Sequence, residues 1–130
     1  MSVPLPCPCG LPHSYEECCG RYTSGNTPAP TAEALMRSRY TAYTLRLEPY
    51  LLVTWHPGTR PAALDLNAEP PPKWLGLQVK RHQQTDDNHA EVEFVARHKI
   101  GGRAFRMHEN SQFVREGGRW YYLDGDAKES

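Results

Sequence analysis

The four cysteines of this chain, Cys7, Cys9, Cys18 and Cys19, fall within thirteen residues. Four thiolates this close in sequence can converge on one tetrahedral ion, and zinc favours both that geometry and soft sulfur ligands. Gly10 permits the tight turn that must follow the Cys7-x-Cys9 pair, before the adjacent pair Cys18-Cys19 returns. So short a segment has no core of its own, and ligation supplies most of its folding energy. Tyr15 and Tyr22 are the rings available to pack against it. Three other readings compete. Disulfides are disfavoured because no secretory leader is visible over Met1–Pro6, and because Cys18 and Cys19 could pair only as a strained ring. A redox pair would ordinarily read Cys-x-x-Cys. Free thiols are the third, and His13 is an alternative ligand in place of one cysteine. The expectation is one zinc ion on Cys7, Cys9, Cys18 and Cys19, in a cytoplasmic protein.

The remainder of the chain must position whatever else acts. Thr31 reads as an N-cap, opening a helix over 32–47. Met36, Tyr40, Tyr43 and Leu47 share one face of it, and Arg37, Thr41, Thr44 and Glu48 make the opposite, wet face. A short second helix is expected from Pro49 to about Trp55, where Pro57 and Gly58 prevent its continuation, and Thr59–Leu64 reads as a further turn. Four strands come next, over 74–83, 88–100, 103–115 and 119–124. Gly101-Gly102 and Gly117-Gly118 supply the positive φ of two-residue hairpin turns, and Thr85-Asp86-Asp87 is a looser turn signal. Helices succeeded by an antiparallel meander mean an α+β fold.

If both glycine pairs are two-residue loops, Phe94 faces Glu109, Ala96 faces Met107, His98 faces Phe105 and Phe113 faces Tyr122. One sheet face then carries Phe94, Ala96, Phe105, Met107, Phe113, Trp120 and Tyr122, and the helices should cover it. The other face carries Glu93, Arg97, Arg106, Asn110 and Gln112, with Arg97 opposite Arg106. A β-bulge would swap the faces beyond it. Glu109 and Ser111 intrude on the apolar face. A carboxyl there is pushed toward its neutral form, which suits a general acid or base, but the competing role is a buried tie to Arg39 or Arg60.

The segment from Cys7-Pro-Cys-Gly through Tyr15-Glu-Glu-Cys18-Cys19 resembles the SEC-C motif, the zinc knuckle best known from the C-terminus of the SecA translocation motor. The resemblance implies zinc on the four cysteines, although Gly10-Leu11-Pro12 replaces the usual Gly-Ser-Gly. The segments Leu35–Tyr43, Thr54–Pro61, Trp74–Leu77, Val92–Phe94, His108-Glu109 and Gly118–Gly125 resemble, in order, the YchJ-like bacterial proteins. That family implies a SEC-C knuckle (1–27) leading into a nuclear-transport-factor-two-like (cystatin-like) cone (31–126), and it carries no assigned reaction. Cones of this type often hold a pocket between helices and sheet. The polar residues that could reach it are Arg39, Tyr43, His56, Arg60, Glu109 and Ser111. Its aromatic wall would be Trp55, Trp74, Phe94, Phe113 and Trp120. His56 lies just past a helix end, where bonding to backbone competes with proton transfer.

Charge narrows the partners. Lys+Arg and Asp+Glu are both 15, and mean hydropathy is −0.70. The first thirty residues hold one base, Arg21, and two acids, Glu16 and Glu17, so the knuckle offers no cationic patch and direct nucleic-acid binding is not expected. No stretch approaches the ~20 apolar residues of a membrane span. Two functions remain. In the first, a non-enzymatic adaptor meets a protein through its knuckle and a small ligand or partner through its cone. In the second, a small acid–base enzyme of isomerase or dehydratase type uses Glu109 and His56. A pocket lined by Glu109 with no arginine in bonding reach favours the enzyme, and a closed, aromatic-filled cone favours the adaptor.

Overall fold

A computed structural model describes residues 7–11, 13–25, 27–64, 66 and 72–127. Met1–Pro6, Pro12 and the prolines at 70 and 71 lie outside the described residues. Among the described residues, three helices, α1 (Gly20–Thr23), α2 (Ala32–Leu45) and α3 (Glu48–Val53), precede four strands, β1 (Lys73–Asp86), β2 (His89–Ile100), β3 (Arg103–Glu116) and β4 (Arg119–Ala127).

Helix α2 begins where Thr31, in extended conformation, accepts from Ala34 N at 3.0 Å. It stops at Leu45, two residues before the expected end. Arg46 turns left-handed (φ 59), and the Leu47 amide reaches back to the Ala42 carbonyl at 2.8 Å. That 6→1 bond, with Arg46 N on Tyr43 O, is the Schellman arrangement. Pro49 sits in the first turn of α3, where its missing N–H leaves no gap in the helix.

The strands form one antiparallel sheet in the order β1-β2-β3-β4, curved beneath the helices as a cone. Gly101, Gly102, Gly117 and Gly118 all take positive φ, as type I′ hairpins require. The β2–β3 register is the one counted from the glycine turn: Phe94 faces Glu109, Ala96 faces Met107 and His98 faces Phe105. Phe113 faces Tyr122, but beyond it Gln112 pairs with Asp124, so β4 carries one extra residue there. This is the bulge that would swap faces, and it brings Gly125 opposite Ser111. The third turn falls at Asp87-Asn88, one residue later than the turn signal in the sequence. Residues 54–56 run along the outer edge of β4, with His56 N on Tyr122 O at 2.7 Å and Tyr122 N on Thr54 O at 2.8 Å.

The core joins Ala32, Leu35, Met36 and Tyr40 of α2 to Val92, Phe94 and Phe113 of the sheet. Three expectations about faces are corrected. Thr41, placed on the wet side of α2, is 0% exposed, because the cysteine segment packs on that side. Phe105 and Met107 remain 39% and 38% exposed, because the β2–β3 hairpin carries them toward its free end. Asn110, on the face expected to be wet, is buried, as is Val95 on the same side of the sheet.

Candidate functional site

The cysteine segment is built from short turns. Cys7 N donates to His13 O (2.8 Å), Gly10 N to Cys7 O (3.1 Å) and Cys18 N to Tyr15 O (3.1 Å). These turns bring the four Sγ atoms within 4.8 Å of one another, all on buried residues, with Cys9 and Cys18 at 3.7 Å. A tetrahedron of metal–sulfur bonds of about 2.3 Å has edges of about 3.8 Å. The sulfurs therefore fit one four-coordinate ion without rearranging the backbone. Electrostatics point the same way. Hydrogen bonding from Cys19 holds the Cys9 thiol down, to about 5. Burial, then the neighbouring Cys9, pushes Cys18 up to about 12, and the hydrogen bond to Cys9 together with burial pushes Cys19 up as well. Thiolates this close together repel one another, and four become tolerable only around a cation. His13 is exposed and stands outside the cluster. Tyr15 packs on the sulfurs, and Tyr22 is buried.

The cluster is seated on α2. Arg37 Nη1 donates to Cys9 O at 3.0 Å while its Nε pairs with Glu33 at 3.0 Å. The Thr41 hydroxyl lies 3.7 Å from Cys7 Sγ.

The inner side of the same helix opens on a cavity of about 290 Å³. Met36, Arg39, Tyr40 and Tyr43 line it from α2, and Trp55 and Trp74 close its flanks. The sheet contributes Phe94, Ala96, Met107, Glu109 and Ser111, with Phe113 and Tyr122 completing the floor. Tyr40 meets Trp74 edge-on at 5.6 Å, and Trp55 meets Tyr122 likewise at 5.0 Å. Arg39, only 5% exposed, lies over the rings of Tyr122 (4.6 Å) and Trp55 (5.1 Å). Its Nη1 donates to Leu51 O at 2.8 Å and to Thr54 Oγ1 at 2.7 Å. Burial pulls its guanidinium below the ordinary arginine range, and the nearby phenol oxygens and Glu109 counter that. Glu109 Oε2 accepts from Ser111 Oγ at 2.7 Å. Its carboxylate lies over Gly125, where any Cβ would meet Oε2 within 2.5 Å.

Eight of the eleven expected pocket residues therefore line one cavity: Arg39, Tyr43, Trp55, Trp74, Phe94 and Phe113, with the polar pair Glu109 and Ser111. Three do not. Arg60 is exposed and donates from Nε to Trp55 O (3.0 Å), because the turn after Pro57 carries it outward. Trp120 is buried but faces a separate hollow of about 110 Å³ with Tyr22 and Tyr50. His56 is also outside: its Nε2 bonds Glu116 (3.0 Å), its Nδ1 accepts from Gly58 N (3.0 Å), and its backbone is tied to β4. The expected tie of Glu109 to Arg39 or Arg60 is absent, with no ion pair joining them among the described residues. Met36, Tyr40, Ala96, Met107 and Tyr122 are added to the lining. All five lie on faces that helical spacing or strand parity marks as inward.

The same architecture recurs in known proteins. Residues 31–125 match the family described as YchJ, middle NTF2-like domain. A UPF0225 protein of Methylibium petroleiphilum is 58% identical over 127 residues, spanning 95% of this chain and 90% of its own. One from Bordetella pertussis is 57% identical over 129 residues, spanning 98% and 96%. The solution structure of a SEC-C motif containing protein from Rhodopseudomonas palustris has a TM-score of 0.85 at 33% identity, covering 96% of this chain and 100% of that one. The crystal structure of another, from Psychrobacter arcticus, has a TM-score of 0.75 at 31% identity, covering 96% and 84%. With its cysteine cluster set on an NTF2-like cone, the chain belongs to the YchJ-like UPF0225 family.

Proposed function

We propose that this protein is a zinc-stabilised binding protein. Cys7, Cys9, Cys18 and Cys19 hold one zinc ion, the cone cavity takes a small organic ligand, and the outer surface of the knuckle meets a protein partner. The observation that carries the metal is the convergence of four buried thiol sulfurs within 4.8 Å, a donor set that is soft, closed and without an open position for a substrate. Zinc in such a site is structural rather than catalytic. Elemental analysis of protein purified without chelator should find one zinc per chain, and Cys18→Ser should lose it. Finding no metal in the wild type overturns the assignment.

The partner reading rests on exposed Glu16, Glu17 and Arg21 around the knuckle, which give a mixed-charge surface rather than a cationic one. A partner captured by the wild type and lost by Cys18→Ser supports it. Equal capture by both places the contact elsewhere.

The enzyme reading is favoured by one observation: Glu109 lines the cavity without an arginine at ion-pair distance among the described residues. It loses His56, which stands outside the cavity, so Glu109 would act as the sole carboxylate. Deuterium exchange from D2O into a bound ligand, abolished by Glu109→Gln, would favour the enzyme. A ligand recovered unexchanged favours binding.

A further inference from the structure

The cone cavity holds two opposite charges that make no ion pair with each other among the described residues, and its lining points to what would bridge them. Arg39 is buried, yet no carboxylate among the described residues pairs with it, and its one well-bonded nitrogen, Nη1, is occupied by Leu51 O and Thr54 Oγ1. The Tyr43 phenol, which is uncharged, also lies beside it in the lining. Glu109 acts on Arg39 across the cavity but makes no ion pair with it among the described residues, so a buried guanidinium held apart from its counter-charge gains when an anion arrives to meet it. Beside it, the Trp55 indole N–H is buried with no acceptor among the described residues. Glu109 supplies the opposite chemistry, with Oε2 held by Ser111 and no hydrogen bond to Oε1 among the described residues. The walls between these groups are planar and apolar. The volume of about 290 Å³ is close to twice the ~150 Å³ that holds one benzene ring. One ring with a substituent at two positions fits within it.

We propose that the cavity takes a monocyclic aromatic carboxylate bearing a hydroxyl or amino group, the carboxylate accepting from Arg39 and Trp55 and the second substituent donating to Glu109. This rests on the reading of the cavity as a ligand site. Arg39 supplies the donors that Nη1 does not use and its positive charge, Trp55 a single directed donor, and Glu109 selects against rings that lack a donor.

The test uses the full metal-loaded chain. Calorimetry measures 4-hydroxybenzoate, benzoate, phenol and indole, while the methyl signals of Met36 and Met107, both in the lining, report where each binds. The expected result is that 4-hydroxybenzoate binds with methyl shifts, that benzoate binds several-fold more weakly, and that phenol binds at least tenfold more weakly. Glu109→Gln should weaken 4-hydroxybenzoate and leave benzoate unchanged. Arg39→Gln should abolish the preference for acids, and because that variant can fail to fold, the phenol comparison on the wild type carries the same information. If phenol or indole binds as tightly as 4-hydroxybenzoate, the acid class is wrong and the ligand site stands. If none of the four moves the methionine methyls, both readings fall.

Discussion

At the scale of single residues, Gly125 has a role that depends on a neighbour sixteen positions away. The bulge in β4 brings it opposite Ser111, on the face where Glu109 projects, and its missing side chain is the space the carboxylate occupies. Gly125→Ala should therefore expel Glu109 and destabilise the protein by about 1–3 kcal/mol, as overpacking usually does. Urea denaturation would measure this, and adding Glu109→Ala should recover much of the loss. Thr41 is the second such residue. Its hydroxyl approaches Cys7 Sγ from the cone, and Thr41→Val should weaken metal binding by roughly 10–100-fold, the usual effect of losing an outer-shell partner. Competition with a chromophoric chelator reads that directly. Neither role is visible in the chain alone. Thr41 obeys polar spacing on its helix, and only the docking of a segment more than twenty residues earlier turns its position inward. The cysteines, by contrast, announce themselves, because ligand type and spacing are local properties.

At the scale of elements, the legible features are those that local chemistry enforces. Gly-Gly pairs dictate their hairpins, so the β2–β3 register comes from counting, and Thr31 marks the start of α2. Thr31→Ala should cost about 1 kcal/mol through loss of its bond to Ala34 N, checked by thermal melting with the metal bound. Counting could not supply how far a helix covers a sheet. Phe105 and Met107 obey the inward parity and are still exposed, since parity gives a direction and not a lid. Trp120 shows the same limit: it is inward and buried, but the curvature of the sheet directs it to another hollow. His56 and Arg60 escaped for a different reason. Both come after α3 in irregular chain, where no period constrains the side chain, and backbone bonds along β4 decide the outcome.

At the scale of the whole molecule, burial of phenols sets an alkaline boundary. Tyr43, Tyr50 and Tyr122 are all pushed above the ordinary tyrosine value, chiefly by burial, Tyr50 to about 12. In the unfolded chain they ionise near pH 10. Their neutral forms thus stabilise the fold fully below about pH 10, and that contribution is lost as pH rises through the folded values. Tyrosinate absorbance should rise in a cooperative step with unfolding rather than as a shallow titration. Tyr50→Phe loses the bond to Ser38 (2.6 Å) and should be less stable by about 1 kcal/mol at neutral pH. The difference from wild type should shrink above pH 10. Metal removal acts on the same scale, because the segment it would loosen covers Thr41 on α2. Chelation should lower the melting temperature of the cone itself, not only release the first thirty residues.

Helix α2 answers to two clients at once, with Arg37 and Thr41 on the sulfur side and Arg39, Tyr40 and Tyr43 on the cavity side. Its phase is consequently a shared key. One residue added or removed between Arg37 and Thr41 rotates everything after it by about 100°, which would turn Thr41 from the thiols and Tyr43 from the cavity in a single step. Substitutions along this helix can be judged one at a time, but its length cannot drift.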